Sequence, residues 1–233
     1  MRHWKKWLIL VTAISLVVVL GACGKKEPAD IVQDLEKQLE GMESYQTTGS
    51  MVINTGEQPL EYDLEVWYKD PHFYRIALTN QQKDVTQVVL RNDDGVFVLT
   101  PNLNKSFRFQ SNWPNEQGQV YLYQSLVQSI LNDDARQMVE DEGAASYVFD
   151  VQANYQNSTM ARQRIWLSQD EYKPTKVEIA NDQAQVLVVV DFEKFELNVP
   201  FDDDAFDMER NMTTMQMQSM PVGTEEEIGR AHV

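Results

Sequence analysis

Residues 60–78 read Leu60-Glu61-Tyr62-Asp63-Leu64-Glu65-Val66-Trp67-Tyr68-Lys69-Asp70-Pro71-His72-Phe73-Tyr74-Arg75-Ile76-Ala77-Leu78. Leu64 and Val66 alternate with Asp63 and Glu65, and beyond Pro71 the residues Tyr74, Ile76 and Leu78 again fall on every second position. A period of two sends successive side chains to opposite faces of a strand, whereas a helix needs a period near 3.6. Asp70-Pro71 between the two runs is a turn signal, because proline fixes φ and lacks a backbone donor. The stretch is two antiparallel strands around a tight turn.

The same alternation spreads from Ser44 to Phe109, through Val88 and Leu90, Phe97 and Leu99, and Phe107 and Phe109. Turn signals at Asn54-Thr55-Gly56, Asn92-Asp93-Asp94-Gly95 and Pro101-Asn102 separate the runs. Short strands joined this way make an antiparallel meander. Two segments break the period. Val32, Leu35, Leu39 and Met42, at spacings of three, four and three, predict an amphipathic helix over 29–42, with Gly41 near its end. After Trp113-Pro114, Leu122, Leu126 and Ile130 recur at every fourth residue, flanked by Tyr123, Val127 and Leu131, and predict a second helix with a wide apolar stripe. Strands resume at 147–153, 162–168, 175–180 and 185–195. Val186 to Val190 is apolar throughout, as in a strand covered on both faces. About six strands, a helix and about four more strands predict a mainly β, α+β fold: one strongly curved antiparallel sheet with the helices over its concave face.

The chain has 233 residues, with 20 Lys and Arg against 36 Asp and Glu, a formal charge of −16. A nucleic-acid partner does not fit, since phosphate neutralisation needs clustered basic residues. One cysteine, Cys23, and three histidines, His3, His72 and His232, leave no intramolecular disulfide and no zinc site built from several Cys and His ligands. The first seven residues carry Arg2, Lys5 and Lys6, and Leu8 to Leu20 is then apolar apart from Thr12 and Ser15. A basic head with an apolar run too short to span a bilayer reads as a secretory signal peptide over 1–22. It ends in Leu20-Gly21-Ala22-Cys23, which resembles the bacterial lipobox. Cys23 is then the lipid anchor, acylated and not a catalytic thiol, with 23–28 as a tether. The alternative is an uncleaved single anchor. Removing 1–22 leaves 17 basic against 36 acidic residues, so the body is repelled by anionic headgroups and only the lipid inserts. The expected location is the extracytoplasmic face of the cell membrane.

At the other end, Met208, Met212, Met215, Met217 and Met220 mark 209–226 as a methionine-rich linker or the start of a further domain. Soft thioethers could hold copper(I) or make an adaptable contact surface, but the linker or further-domain reading is preferred. Residues 227–233, Glu-Ile-Gly-Arg-Ala-His-Val, resemble a translated sequencing adapter and carry no structural expectation. Asp202, Asp203, Asp204 and Asp207 fail the calcium-loop pattern, which wants glycine where Asp207 stands, and read as a solvated acidic turn. His72 beside Asp70 is a turn histidine, and no serine has a nucleophile-elbow context.

Two motifs carry a family resemblance: Trp67-Tyr68-Lys69-Asp70-Pro71-His72-Phe73-Tyr74-Arg75, and Asn92-Asp93-Asp94-Gly95-Val96-Phe97-Val98-Leu99-Thr100-Pro101-Asn102-Leu103-Asn104-Lys105. Both resemble the LolA-like superfamily of lipoprotein carriers and its lipid-anchored, sporulation-type relatives, over about residues 29–208. Val199-Pro200-Phe201 to Phe206-Asp207 resembles that family's last loop and strand. The resemblance implies a half-open barrel of about eleven strands with a helical lid, no cofactor, no enzymatic activity, and a lipid or lipoprotein acyl chain held in an apolar cavity. Asp70 stands where the soluble carriers place an arginine that ties the lid shut. Leu64, Val66, Ile76, Leu78, Val88, Leu90, Leu122, Leu126 and Ile130 are the candidate lining; packed against one another, the same residues would be an ordinary core. The second expectation for the same fold is a docking platform for a protein partner.

Overall fold

The computed structural model describes residues 26–109, 119–139, 145–153 and 160–219. The chain divides into two compact units, residues 1–34 and 35–233, with the boundary inside helix α1 (Pro28–Glu40). Pro28 opens α1, the position where a missing N–H costs nothing. The Glu27 carbonyl accepts from the amides of Asp30 and Ile31. In the first unit, Lys26 Nζ lies 2.7 Å from Asp34 Oδ2. In the second, Gly41 N donates to the Lys37 carbonyl and ends the helix, Leu35 is fully buried, and Gln38 Nε2 donates to the Glu171 carbonyl at 3.1 Å.

Six strands follow: β1 (Ser44–Ile53), β2 (Leu60–Lys69), β3 (Phe73–Asn80), β4 (Val85–Asn92), β5 (Gly95–Thr100) and β6 (Lys105–Phe109). After α2 (Tyr123–Asn132) come β7 (Gln137–Val139), β8 (Ser146–Gln152), β9 (Arg162–Ser168), β10 (Pro174–Ala180) and β11 (Val186–Leu197), and then α3 (Met208–Ser219). All eleven strands form one antiparallel sheet in the order β6-β5-β4-β3-β2-β1-β11-β10-β9-β8-β7, open at β6 and β7. Two meanders are joined by pairing the first strand with the last. At that seam the register slips between Thr48 and Gly49, and a Cβ on Gly49 would collide with the Asp191 carbonyl, so the close approach needs glycine.

Register separates two faces. On the inner face Tyr45, Thr47 and Met51 of β1 stand opposite Tyr68, Val66 and Tyr62 of β2; Leu64 and Val66 stand opposite Leu78 and Ile76 of β3. Val190 and Val188 of β11 meet Val177 and Ile179 of β10, and Ile165 and Phe149 continue that layer across β9 and β8. The inner face carries α2. The outer face divides: over β8 to β10 it is polar, with Asp150 between Arg162 and Arg164 and Lys176 2.6 Å from Glu178, whereas over β3 to β5 it is apolar and lies beneath α3.

The eleven-stranded, mainly β sheet with its helices is the expected architecture. The short edge strand β7 is additional to the sequence reading: its three residues give no alternation to detect. Within the methionine-rich stretch expected as a linker or the start of a further domain, the chain is helical through Ser219. Phe206, expected in a final strand, lies in the turn before that helix. Val186 to Val190 is fully buried on the inner side only, at Val188 and Val190; Val186, Leu187 and Val189 are half-buried.

Candidate functional site

The nine candidate lining residues fall on both sides of the sheet. Leu64, Val66, Ile76 and Leu78 share the inner face, and Leu122, Leu126 and Ile130 belong to α2, with Leu122 as its N-cap residue. Val88 and Leu90 do not join them. They pair with Ala77 and Arg75 on β3 and with Leu99 and Phe97 on β5, which places them on the outer face, in a cluster completed by Ala205 and Phe206. The physical reason is that Val88-Val89-Leu90 is apolar on both parities, so alternation cannot say which pair points inward. The inner set is closed: Val66, Ile76, Leu122, Leu126 and Ile130 expose none of their surface, Leu64 exposes 2%, and only Leu78 is half-buried.

α2 is fixed from β1. The Tyr45 hydroxyl accepts from the Tyr123 amide at 3.0 Å and donates to Gln124 Oε1 at 2.9 Å. It thereby takes up one of the orphan N–H groups of the first helical turn, for which Leu122 offers no side chain. Aromatic rings fill the surroundings: Tyr45 stacks on Tyr68 at 5.3 Å and on Phe195 at 5.0 Å, and Tyr123 meets Phe195 edge-on at 5.2 Å. Burial in this layer pushes the Tyr121 phenol up to about 12, with the Tyr74 hydroxyl adding to the effect, and holds Tyr123 well above the ordinary tyrosine range. Gln119 Nε2 donates to Tyr74 at 3.4 Å. Among the described residues, three buried polar atoms of this region have no hydrogen-bond partner: Gln119 Oε1, Tyr123 Oη and Gln124 Nε2.

On the outer face, Arg75 holds α3. Its Nε donates to Asn211 Oδ1 at 2.7 Å, its Nη1 to Glu65 Oε2 at 2.6 Å, and its guanidinium lies 4.4 Å over the Trp67 ring. Asn211 returns its amide protons to the carbonyls of Ala205 and Asp207. Asp207 Oδ1 accepts from the Arg210 amide at 2.7 Å as an N-cap, and Asp204 and Asp202 pair with the Arg210 guanidinium. The acidic run at 202–207 is thus an exposed turn, as expected, and it leads into a helix that Asp207 caps. Met208 and Met212 pack on the outer cluster. The sequence contains the signal for this helix, a capping Asp207 followed by methionines at 208, 212 and 215.

His72 Nε2 lies 3.0 Å from Asp93 Oδ1 and its ring stacks on Phe73 at the surface, tying the β2–β3 turn to the β4–β5 turn. Among the described residues there is no group of three or more His, Cys, Asp or Glu that could hold a metal ion. No described helix is long and apolar enough to cross a membrane. Cys23, the signal segment and residues 227–233 lie outside the described residues. The largest exposed apolar side chains gather at one end of the sheet: Phe107 on β6 exposes 62% and Leu103, in the 3₁₀ turn Pro101–Leu103 before it, exposes 56%.

An open antiparallel sheet of eleven strands with a helix on its inner face is the architecture expected from the two sequence motifs. The chain belongs to the family described as Sporulation protein YdcC-like, which it matches over residues 4–206. It is similar to the sporulation protein YdcC of Bacillus subtilis (strain 168), with 43% identity over 214 residues, which is 91% of this chain and 63% of that protein. The chain thus spans less than two thirds of that relative's length. Among solved structures, an uncharacterized conserved protein from Thermus thermophilus superposes with a TM-score of 0.51 at 9% identity, covering 77% of this chain and 93% of its own, a likeness of fold alone. A LolA superfamily protein from Nitrosomonas europaea gives a TM-score of 0.39 at 14% identity, covering 76% of this chain and 98% of its own.

Proposed function

We propose that this chain is an extracytoplasmic sporulation lipoprotein, anchored through an acylated Cys23, whose domain acts as a docking platform for a protein partner and performs no chemistry of its own. One observation supports the choice of docking over acyl carriage: of the residues expected to line an acyl cavity, those on the inner face are buried, with Val66, Ile76, Leu122, Leu126 and Ile130 wholly inaccessible. An acyl chain needs free apolar wall, and these side chains present none to solvent. The anchor rests on the basic head, the short apolar run and the lipobox-like Leu20-Gly21-Ala22-Cys23.

A second reading, acyl binding beneath α2, keeps one supporting observation. Among the described residues, Gln119 Oε1, Tyr123 Oη and Gln124 Nε2 have no hydrogen-bond partner, and each such atom costs about 1–3 kcal/mol. Two measurements on the full chain decide. Metabolic labelling with palmitate should mark the wild type and not Cys23→Ala. Lipid extraction of the purified Cys23→Ala protein should yield far less than one acyl chain per protein. One acyl species per protein would establish the second reading and remove the first.

A further inference from the structure

We infer that the buried start of α2 is a hydration site, in which ordered water bridges the helix to the rest of the fold through Tyr123, Gln124 and Gln119. The inference goes beyond the docking reading, and it accounts for the polar atoms that the acyl reading would claim. The protons around Tyr45 set the orientation of Gln124. The Tyr45 hydroxyl accepts from the Tyr123 amide, so its own proton goes to Gln124 Oε1. Gln124 Nε2, with two N–H groups, is then left without an acceptor among the described residues. Gln119 is held by one end only, since Nε2 donates to the Tyr74 hydroxyl and Oε1 meets no donor there. Turning its amide over would strand the other end instead. The third member, Tyr123 Oη, can both give a proton and accept one.

Burial limits what can complete these groups. Tyr123, Gln124 and Gln119 expose 0%, 5% and 7% of their surface, so bulk solvent does not reach them and a partner must lie inside the fold. Tyr123 and Gln124 are also the first two residues of α2, where Leu122 supplies no side-chain cap. The first turn therefore brings backbone N–H groups that the helix itself cannot pair into the same layer. Chemistry selects the occupant. The set holds a donor, an acceptor and a hydroxyl that serves as both, and water gives two protons and accepts two. Buried waters in folded proteins make about three hydrogen bonds to groups of this kind. An anion would satisfy the donors and oppose Gln119 Oε1, and an acyl chain would satisfy none of the three. Farther along α2, Leu126 and Ile130 are apolar and fully buried, so the polar demand is confined to the start of the helix.

The test is a crystal structure of the full chain carrying Cys23→Ala, read together with urea unfolding of the same chain with and without Tyr123→Phe. The expected result is discrete water density within about 2.7–3.2 Å of Gln124 Nε2, Tyr123 Oη and Gln119 Oε1, each water reaching at least one further polar atom. Tyr123→Phe should lose the water at that position and lower the unfolding midpoint, because a partnered hydroxyl has been removed. A hydroxyl without a partner gives the opposite sign, since deleting it relieves an unmet desolvation cost. A raised midpoint, an absence of density at the three atoms, or their direct pairing with protein groups would overturn the hydration site and leave the docking reading standing. Continuous density for an acyl chain along them, with one acyl species per protein on extraction, would remove both.

Discussion

At the scale of single residues, buried polar groups fix both helices. The Tyr45 hydroxyl caps the first turn of α2, so Tyr45→Phe leaves the Tyr123 amide and Gln124 Oε1 unpaired. The expected loss is about 1–3 kcal/mol in urea unfolding, with no change of fold by circular dichroism. Arg75→Met strips α3 of its link and leaves Glu65 without its cation. Because Glu65 is about a third exposed, water relieves part of the cost, and about 2–3 kcal/mol is expected, at or below the range for a fully buried pair. The raised phenols set the alkaline limit. A tyrosine whose folded pKa lies above its unfolded value contributes stability that is intact below the unfolded value and is lost as pH rises through the folded one. For Tyr121 that window runs from pH 10 to about 12. Tyrosinate absorbance should therefore rise together with loss of circular dichroism in that window, and Tyr121→Phe should move the transition to higher pH. None of these roles was legible in the sequence, because a tyrosine or an arginine at strand spacing does not declare which buried group it will meet.

At the scale of elements, Gly49 and α2 are the points where packing admits least change. Gly49→Ala drives a methyl into the Asp191 backbone at the β1–β11 seam, where neither chain is a flexible side-chain end. A loss of about 3 kcal/mol or more is expected, checked by the shift in denaturation midpoint against Gly41→Ala at the end of α1. Leu126→Ala empties a site with no accessible surface and should cost about 2–5 kcal/mol in the same assay. Strand positions were largely legible here: alternation places 162–168 with the observed limits and β8, β10 and β11 within two residues. α2 was legible from Leu122, Leu126 and Ile130 because a four-residue apolar recurrence has no strand equivalent. The assignment of Val88 and Leu90 was not, since a strand apolar on both parities tells that it is covered twice but not by what. α3 was hidden by composition, the methionines suggesting a use for sulfur when their spacing and Asp207 already described a capped helix.

At the scale of the whole molecule, the sheet of residues 44–197 carries a helix on each face. Only one of these, α2, was foreseen. The two motifs that resemble the LolA-like superfamily were sufficient for the number of strands and the open antiparallel sheet. They could not tell a filled interior from an open one, because the same apolar residues build either. The account therefore turns on whether α2 is part of the core or a cover that lifts. Hydrogen–deuterium exchange of the full chain reads this directly, since local opening is measured against global unfolding. If the docking account holds, the amides of 126–132 exchange within about tenfold of those in β1 and β2, and added fatty acid changes nothing. Rapid exchange confined to α2, slowed by fatty acid, would contradict it.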